Sequence, residues 1–75
     1  MEEATAVPGP AMGKAIIKVN NTATKRTRNR VKEGGPVFEF FDNARARPGE
    51  LLLRSPKTQW LGWLPISEID WKLDL

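Results

Sequence analysis

Hydrophobic and polar positions alternate most regularly at the C-terminal end of the chain. From Ile69 to Leu75, hydrophobic residues occupy every odd position and charged residues occupy every even one. A period of two places the two sets on opposite faces of an extended chain. This pattern predicts a β-strand with one buried and one solvated face, and it places Trp71 in the core.

Two shorter hydrophobic runs precede this segment and are separated by a polar break. Residues 51–53 and 60–64 flank Arg-Ser-Pro-Lys-Thr, in which Pro56 fixes φ and has no N–H to donate. Two short runs around such a break predict a β-hairpin. The sequence Pro-Ile-Ser-Glu at residues 65–68 then predicts one tight turn of 3₁₀ type.

The first half of the chain contains two further strand candidates. Residues 14–19 are short and rich in β-branched side chains, which favours a first strand. Residues 37–42 predict a second strand, with Phe38 and Phe40 facing the core and Phe41 on the other face. A polar turn follows and ends at Pro48-Gly49. The five strands are therefore expected near residues 14–20, 37–42, 50–54, 59–64 and 69–74.

Residues 62–69 resemble a segment of a known family. Their sequence, Gly-Trp-Leu-Pro-Ile-Ser-Glu-Ile, resembles the Gly-aromatic-aliphatic-Pro-x-x-x-aliphatic segment of Src-homology-3 domains, and its start is similar to the Gly-Trp-Val of bacterial relatives of that fold. In that family the segment forms the fourth strand, a 3₁₀ turn and the fifth strand. The resemblance implies a mainly β fold, a five-stranded Src-homology-3-like barrel or roll with a long basic first loop. A different five-strand roll, or an open sheet with one helix, is the alternative.

The resemblance does not extend to the ligand groove of the family. The groove tyrosine in the turn corresponds to Glu68 here, and the neighbouring asparagine corresponds to Ser67. The paired tyrosines of the first strand and the acidic first loop are also absent. We therefore do not expect recognition of proline-rich peptides through an aromatic groove.

The first connection, residues 20–36, holds the highest density of charge. A helix there would start from an N-cap at Thr24 and end at Gly34-Gly35, but it would place like charges four residues apart. We favour a loop with one helical turn, stopped by Gly34-Gly35-Pro36. Against one nearby acid, Glu33, five positive residues fall within eight positions: Lys25, Arg26, Arg28, Arg30 and Lys32.

This basic loop is the feature with the clearest functional interpretation. Arginine and lysine neutralise phosphates and release counterions, so the loop predicts binding of DNA or RNA. Arg45 and Arg47 would extend the surface if their loop lies at the same end of the barrel. Phe41, Trp60 or Trp63 could stack on bases or line a groove. The competing interpretations are a solvated charged surface and, for the tryptophans, a place in the core.

Composition narrows the function classes. The chain has 75 residues, which is one domain, and contains neither cysteine nor histidine. Disulfides, Cys/His zinc sites and mechanisms that need either residue are excluded. Gly34-Gly35 lacks the Lys-Ser/Thr of a phosphate-binding loop. We expect a binding module that is not an enzyme and uses no cofactor or metal. The alternatives are a protein-interaction adaptor, with its groove between the first two loops, and a small subunit of a larger assembly.

The N-terminal segment and the lack of long apolar runs predict a flexible tail and a cytoplasmic location. Residues 1–13, rich in Ala, Pro and Gly, predict a flexible tail, and residues 14–75 form the domain. No apolar run approaches the roughly 20 residues that cross a bilayer. The acidic start, Met1-Glu2-Glu3, lacks a signal-peptide core. We expect a cytoplasmic protein without membrane association, acting as a monomer or within a complex.

Overall fold

The computed structural model describes residues 10–41 and 47–74. All five predicted strands are confirmed, each within two residues of its expected bounds, together with the 3₁₀ turn. The elements in chain order are β1 (Gly13–Val19), α1 (Lys25–Gly34), β2 (Val37–Phe41), β3 (Glu50–Arg54), β4 (Leu61–Pro65), the 3₁₀ turn η1 (Ile66–Glu68) and β5 (Ile69–Leu73).

The strands form one antiparallel sheet in the order β4-β3-β2-β1-β5. β1 to β4 follow one another as a meander, and β5 returns to pair with β1. The sheet is not closed, so β4 and β5 are its two edges. This mainly β architecture is compatible with a Src-homology-3-like small β fold.

One face of the sheet carries the main core. The register aligns Ala15 with Phe38 and Phe40 with Leu53, so these side chains share a face. Val31 of α1 packs against this cluster. A smaller cluster of Phe41, Leu52 and Trp63 covers the opposite face. The buried members of the main core are Ala15, Ile17, Phe38, Leu53, Leu64 and Ile69.

β5 is a strand as predicted, but its hydrophobic face is only partly buried. Ile69 is buried, whereas Trp71 is 45% exposed and Leu73 is 50% exposed. The expectation that Trp71 lies in the core is wrong. An edge strand has a neighbouring strand on one side only. Trp71 therefore packs on Phe40, with ring centroids 6.1 Å apart, and leaves nearly half of its surface in solvent.

The first connection is long, as expected, but it holds a ten-residue helix instead of the favoured loop. The Thr24 hydroxyl accepts the N–H of Thr27, and Gly35 ends the helix with a φ of 84°. Thr27 is buried and Val31 packs on the core. The like-charge spacing that argued against a helix costs only about 0.2–0.5 kcal/mol per pair. Packing of the buried helix face outweighs that cost.

The folded part of the chain begins before residue 14. Ala11 packs against the smaller cluster, and the Met12 N–H donates to the Phe40 carbonyl at 2.9 Å. The rest of the predicted tail, residues 1–9, lies outside the described residues, as do residues 42–46 and Leu75.

Candidate nucleic-acid interface

Helix α1 concentrates the positive charge of the protein. It contains five basic residues and one acid, a net charge of +4. The whole chain has a formal charge of +3, which leaves −1 for everything outside the helix. The net positive charge of the molecule is therefore carried by α1, and the field of this helix attracts anions.

The helix directs most of these charges outward. Its buried residues are Thr27 and Gly34, on the side that faces the sheet. Arg30 is half-buried at the border of that side. The exposed basic residues of the helix are Lys25, Arg26, Arg28 and Lys32.

Arg28 also braces the turn that leads into the helix. Its Nε donates to the Ala23 carbonyl at 3.1 Å, and its Nη2 donates to the Asn20 carbonyl at 3.4 Å. The Asn20 side chain in turn donates to the Ser67 carbonyl at 2.8 Å. Arg28 thus belongs to a small network that ties the start of α1 to η1, and its replacement would disturb more than surface charge.

The N-terminus of α1 already has an anion beside it. The Glu68 carboxylate accepts the Thr24 N–H at 2.7 Å. This hydrogen bond lowers the pKa of Glu68, partly offset by desolvation, and the Thr27 and Thr24 hydroxyls lower it further. Glu68 therefore occupies the N-terminal end of α1, and the outward side of the helix is the part of its basic surface left accessible.

Trp60 is covered by the helix. The Arg30 guanidinium carbon lies 5.1 Å from the centroid of the Trp60 ring, within cation–π distance. Trp60 is half-buried against the main core, and its indole N–H is buried without a hydrogen-bond partner among the described residues. Its ring is therefore occupied from above by Arg30 and offers little area for base stacking.

The other two aromatic candidates are buried. Phe41 is 4% exposed and Trp63 is 7% exposed, both in the smaller cluster. Arg54 lies over Phe41 at 5.8 Å, and Arg47 lies over Trp63 at 5.5 Å. These arginines cover the outer side of that cluster, so neither ring forms an open platform.

Arg47 belongs to a different connection from the helix. α1 connects the end of β1 to the start of β2, whereas Arg47 lies between the end of β2 and the start of β3. η1 contacts both connections: its Ile66 N–H donates to the Gly49 carbonyl at 2.9 Å, and its Glu68 carboxylate accepts the Thr24 N–H at 2.7 Å. Arg47 also pairs with Glu50 at 3.6 Å. Arg45 lies outside the described residues.

Lys57 is a basic residue that sequence reasoning did not assign to the site. It lies in the β3–β4 turn, and its Cδ is 3.8 Å from the point where a β-carbon would stand on Gly35. Ser55 of the same turn is fully buried and donates to the Gly34 carbonyl at 2.8 Å. The hairpin turn is thereby held at the C-terminal end of α1, where Lys57 extends the basic surface.

The described residues contain neither a membrane-spanning helix nor a cluster of metal ligands. Within residues 10–41 and 47–74, no helix is long and apolar enough to cross a membrane. Over the same two ranges, no group of three or more acidic side chains gathers closely enough to hold a metal ion.

Comparisons with protein-family models, with curated protein sequences and with solved structures found no match to this chain. The geometry and the charge of the molecule are therefore the basis for assigning its function.

Proposed function

We propose that this protein is a non-catalytic binding module with a Src-homology-3-like fold that contacts nucleic acid through the outward face of α1. The observation that carries the proposal is the distribution of charge. A ten-residue helix holds a net charge of +4 in a chain whose remainder is slightly acidic. Such a surface attracts a polyanion, and counterion release supplies the free energy of binding.

The environment of the aromatic residues defines the expected mode of binding. Phe41 and Trp63 are buried, and Trp60 lies beneath Arg30. The interface then consists of Lys25, Arg26, Lys32 and Lys57, with Arg28 beside them. Contacts of this kind go to phosphates and carry little sequence information. We expect weak base preference and a steep salt dependence, with a slope of about −0.9 per neutralised phosphate on duplex DNA.

The test is a pair of charge-matched double variants. Lys25→Glu with Lys32→Glu changes two exposed lysines of α1, whose side chains avoid the contacts made by Arg28 and Arg30. Lys14→Glu with Lys18→Glu makes the same charge change on exposed positions of β1. Binding of fluorescent duplex DNA and of single-stranded RNA is measured by anisotropy at low and at physiological salt.

The helix variant is expected to lose most of the binding, and the β1 variant to keep most of it. Equal losses in the two variants would show that net charge alone matters and would overturn the assignment to α1. Absence of binding by the wild type at low salt would reject the function itself. Dispersed amide spectra of both variants establish that each still folds.

The protein-interaction adaptor remains a prediction with less support. Its groove was expected to use Trp60 or Phe41. Phe41 is 4% exposed, and Arg30 covers Trp60. Little aromatic surface is left there for a peptide to contact.

A further inference from the structure

The two edges of the sheet differ in how they are protected. At β4 the central residues Gly62, Trp63 and Leu64 are buried, and the strand ends at Pro65, which has no N–H. At β5 only Ile69 is buried and the following four residues are exposed. β5 pairs with β1 alone among the described strands. It is thus the open edge of the sheet, and it carries a tryptophan.

The hydrogen bonds of β5 show which of its backbone groups are unpaired. The Asp74 N–H donates to the Lys14 carbonyl at 2.9 Å, and the Asn20 N–H donates to the Glu68 carbonyl at 3.0 Å. In an antiparallel pair, successive residues alternate between facing the partner strand and facing away from it. Even-numbered residues of β5 therefore bond to β1. Odd-numbered residues point outward to the open edge. The Ile69 N–H is already bonded to the Ile66 carbonyl of η1, so the groups left unpaired among the described residues are the Ile69 carbonyl and the N–H and carbonyl groups of Trp71 and Leu73.

We propose that β5 pairs with β5 of a second copy of this chain, in an antiparallel register centred on Trp71. In that register Trp71 lies opposite the partner's Trp71, and every outward-pointing residue of β5 meets an outward-pointing residue. The arrangement has a two-fold axis through this pair, so the interface is self-complementary, as in most homodimers. The two sheets join into one sheet of ten strands.

The charges on β5 select this register. Centred on Trp71, it places Asp70 opposite the partner's Lys72, and Lys72 opposite the partner's Asp70. Moving the centre to Asp70 sets the two Asp70 side chains against each other, and moving it to Lys72 does the same to the two Lys72 side chains, which is destabilising. Centring on Asp70 also brings Lys72 opposite the partner's Glu68, but that carboxylate belongs to η1 and already accepts the Thr24 N–H. Asp70 and Lys72 occupy positions of the new pairing without backbone hydrogen bonds, where cross-strand side chains lie closest. A register centred on Leu73 pairs Lys72 with Asp74, but it overlaps β5 at its end only.

The hydrophobic side of β5 fits the same register. Trp71 is 45% exposed and Leu73 is 50% exposed on one face of the sheet. The pairing brings the two Trp71 rings together at the axis and sets Leu73 against the partner's Ile69. Solvent-exposed edges usually carry lysine, proline or a bulge that prevents such contacts. β5 carries one such residue, Lys72, and in this register it lies opposite the partner's Asp70. The exposed tryptophan on the same strand is accounted for if a second copy covers it.

A dimer of this kind also sets the placement of the two helices. A two-fold axis perpendicular to the sheet leaves the same face upward in both copies. Val31 of α1 packs against the face that carries Ile17 and Trp71. Both α1 helices would therefore lie on one side of the joined sheet. The dimer does not depend on nucleic-acid binding and is tested without it.

The experiment is sedimentation equilibrium of the full chain from micromolar to millimolar concentration. The wild type is expected to shift from 8.4 kDa toward twice that mass as concentration rises. Lys72→Asp sets the new carboxylate against the partner's Asp70, so this variant is expected to remain monomeric. Asp70→Lys is expected to remain monomeric for the converse reason. An equimolar mixture of these two variants brings opposite charges together again and is expected to associate.

Asp74 lies one residue past β5, and in this register it falls opposite the partner's Glu68, which belongs to η1. Asp74→Lys is the control, because it reverses a neighbouring exposed charge without changing the pairs of Asp70 with Lys72 and opposes no like charge across the interface. It is expected to dimerise at least as strongly as the wild type. Within one chain, Asp70 is aligned with Lys18, so Asp70→Lys places two lysines side by side and its folding is checked by its amide spectrum. Lys72 is aligned with Ile16, so Lys72→Asp meets no like charge on β1. A wild type that stays at monomer mass throughout overturns the proposal. So does a mixture of folded variants that fails to associate, or a loss of dimer confined to Asp74→Lys.

Discussion

The Glu68 carboxylate accepts the backbone N–H of Thr24 at 2.7 Å, although the two residues are 44 positions apart. Helix α1 has no acidic residue in its first turn and begins with Lys25 and Arg26, which opposes the helix dipole. Glu68 supplies the missing negative charge from η1. At the position where the resemblance would place a groove tyrosine, this chain has a residue that secures its basic helix.

Replacing Glu68 by glutamine is expected to destabilise the fold in a pH-dependent way. The pKa of Glu68 is lowered in the folded state, mainly by the Thr24 N–H. Its stabilising contribution is therefore fully present above its unfolded pKa of about 4.3, and it is lost as pH falls through the lower folded value. Urea unfolding of wild type and Glu68→Gln, followed from neutral pH to pH near 3, measures the difference.

The difference in unfolding free energy should be constant near neutral pH and should shrink below about pH 4. Because the other acids are common to both proteins, their titration cancels in this comparison. A difference that stays constant down to the lowest pH would show that the charge of Glu68 has no part in holding the helix.

Ser55→Ala is expected to cost about 1–3 kcal/mol, because it leaves buried polar groups without partners. The Ser55 Oγ donates to the Gly34 carbonyl at 2.8 Å and accepts the N–H groups of Lys57 and Thr58, each at 3.2 Å. Ser67→Ala makes the same chemical change at an exposed position and serves as the control. Equal unfolding free energies for the two variants would contradict a role for Ser55 in joining hairpin and helix.

Gly34→Ala is expected to destabilise by about 1–3 kcal/mol through overpacking. A β-carbon at residue 34 would overlap Cζ of Phe38, a fully buried ring. Asn29→Ala, at an exposed position of the same helix, gains helix propensity without a clash. Thermal unfolding should rank Gly34→Ala below the wild type and Asn29→Ala at or above it. The reverse order would mean that Phe38 moves freely and the contact is loose.

Trp60→Phe is expected to change the unfolding free energy by no more than about 1.5 kcal/mol. The Trp60 indole N–H is buried without a hydrogen-bond partner among the described residues. Phenylalanine removes this polar group without breaking a hydrogen bond to any of those residues. Trp60→Ala also loses the ring beneath Arg30 and should cost more. Chemical denaturation compares the two variants. Similar losses for both would point to a partner of the indole N–H.

The local sequence pattern was sufficient to locate the strands and the 3₁₀ turn. It was not sufficient to predict which side chains are buried on the edge strands. The alternation after Ile69 identifies β5, and the proline-bounded runs identify the β3–β4 hairpin. Periodicity reports which residues share a face, but it cannot report whether anything covers that face. Trp71 and Trp63 show the difference. Trp71 belongs to the most regular pattern and is exposed, whereas Trp63 lies on the other edge strand and is buried.

The basic helix α1 also shows what the local sequence could and could not predict. Its caps, Thr24 and Gly35, were readable as signals, but repulsion along the segment argued for a loop. Tertiary contacts with Glu68 and the core decided for the helix. They also brought Lys57 to the C-terminal end of α1.

The sequence by itself determined the strand positions, the class of fold and the residues that carry the charge, because each depends on neighbours within a few positions of the chain. The tertiary structure alone decided which charges share a surface, which aromatic rings are covered and which strand is left as an open edge. Those properties depend on contacts between residues far apart in sequence, such as Glu68 with Thr24 and Ser55 with Gly34. One-dimensional pattern contains no record of such contacts.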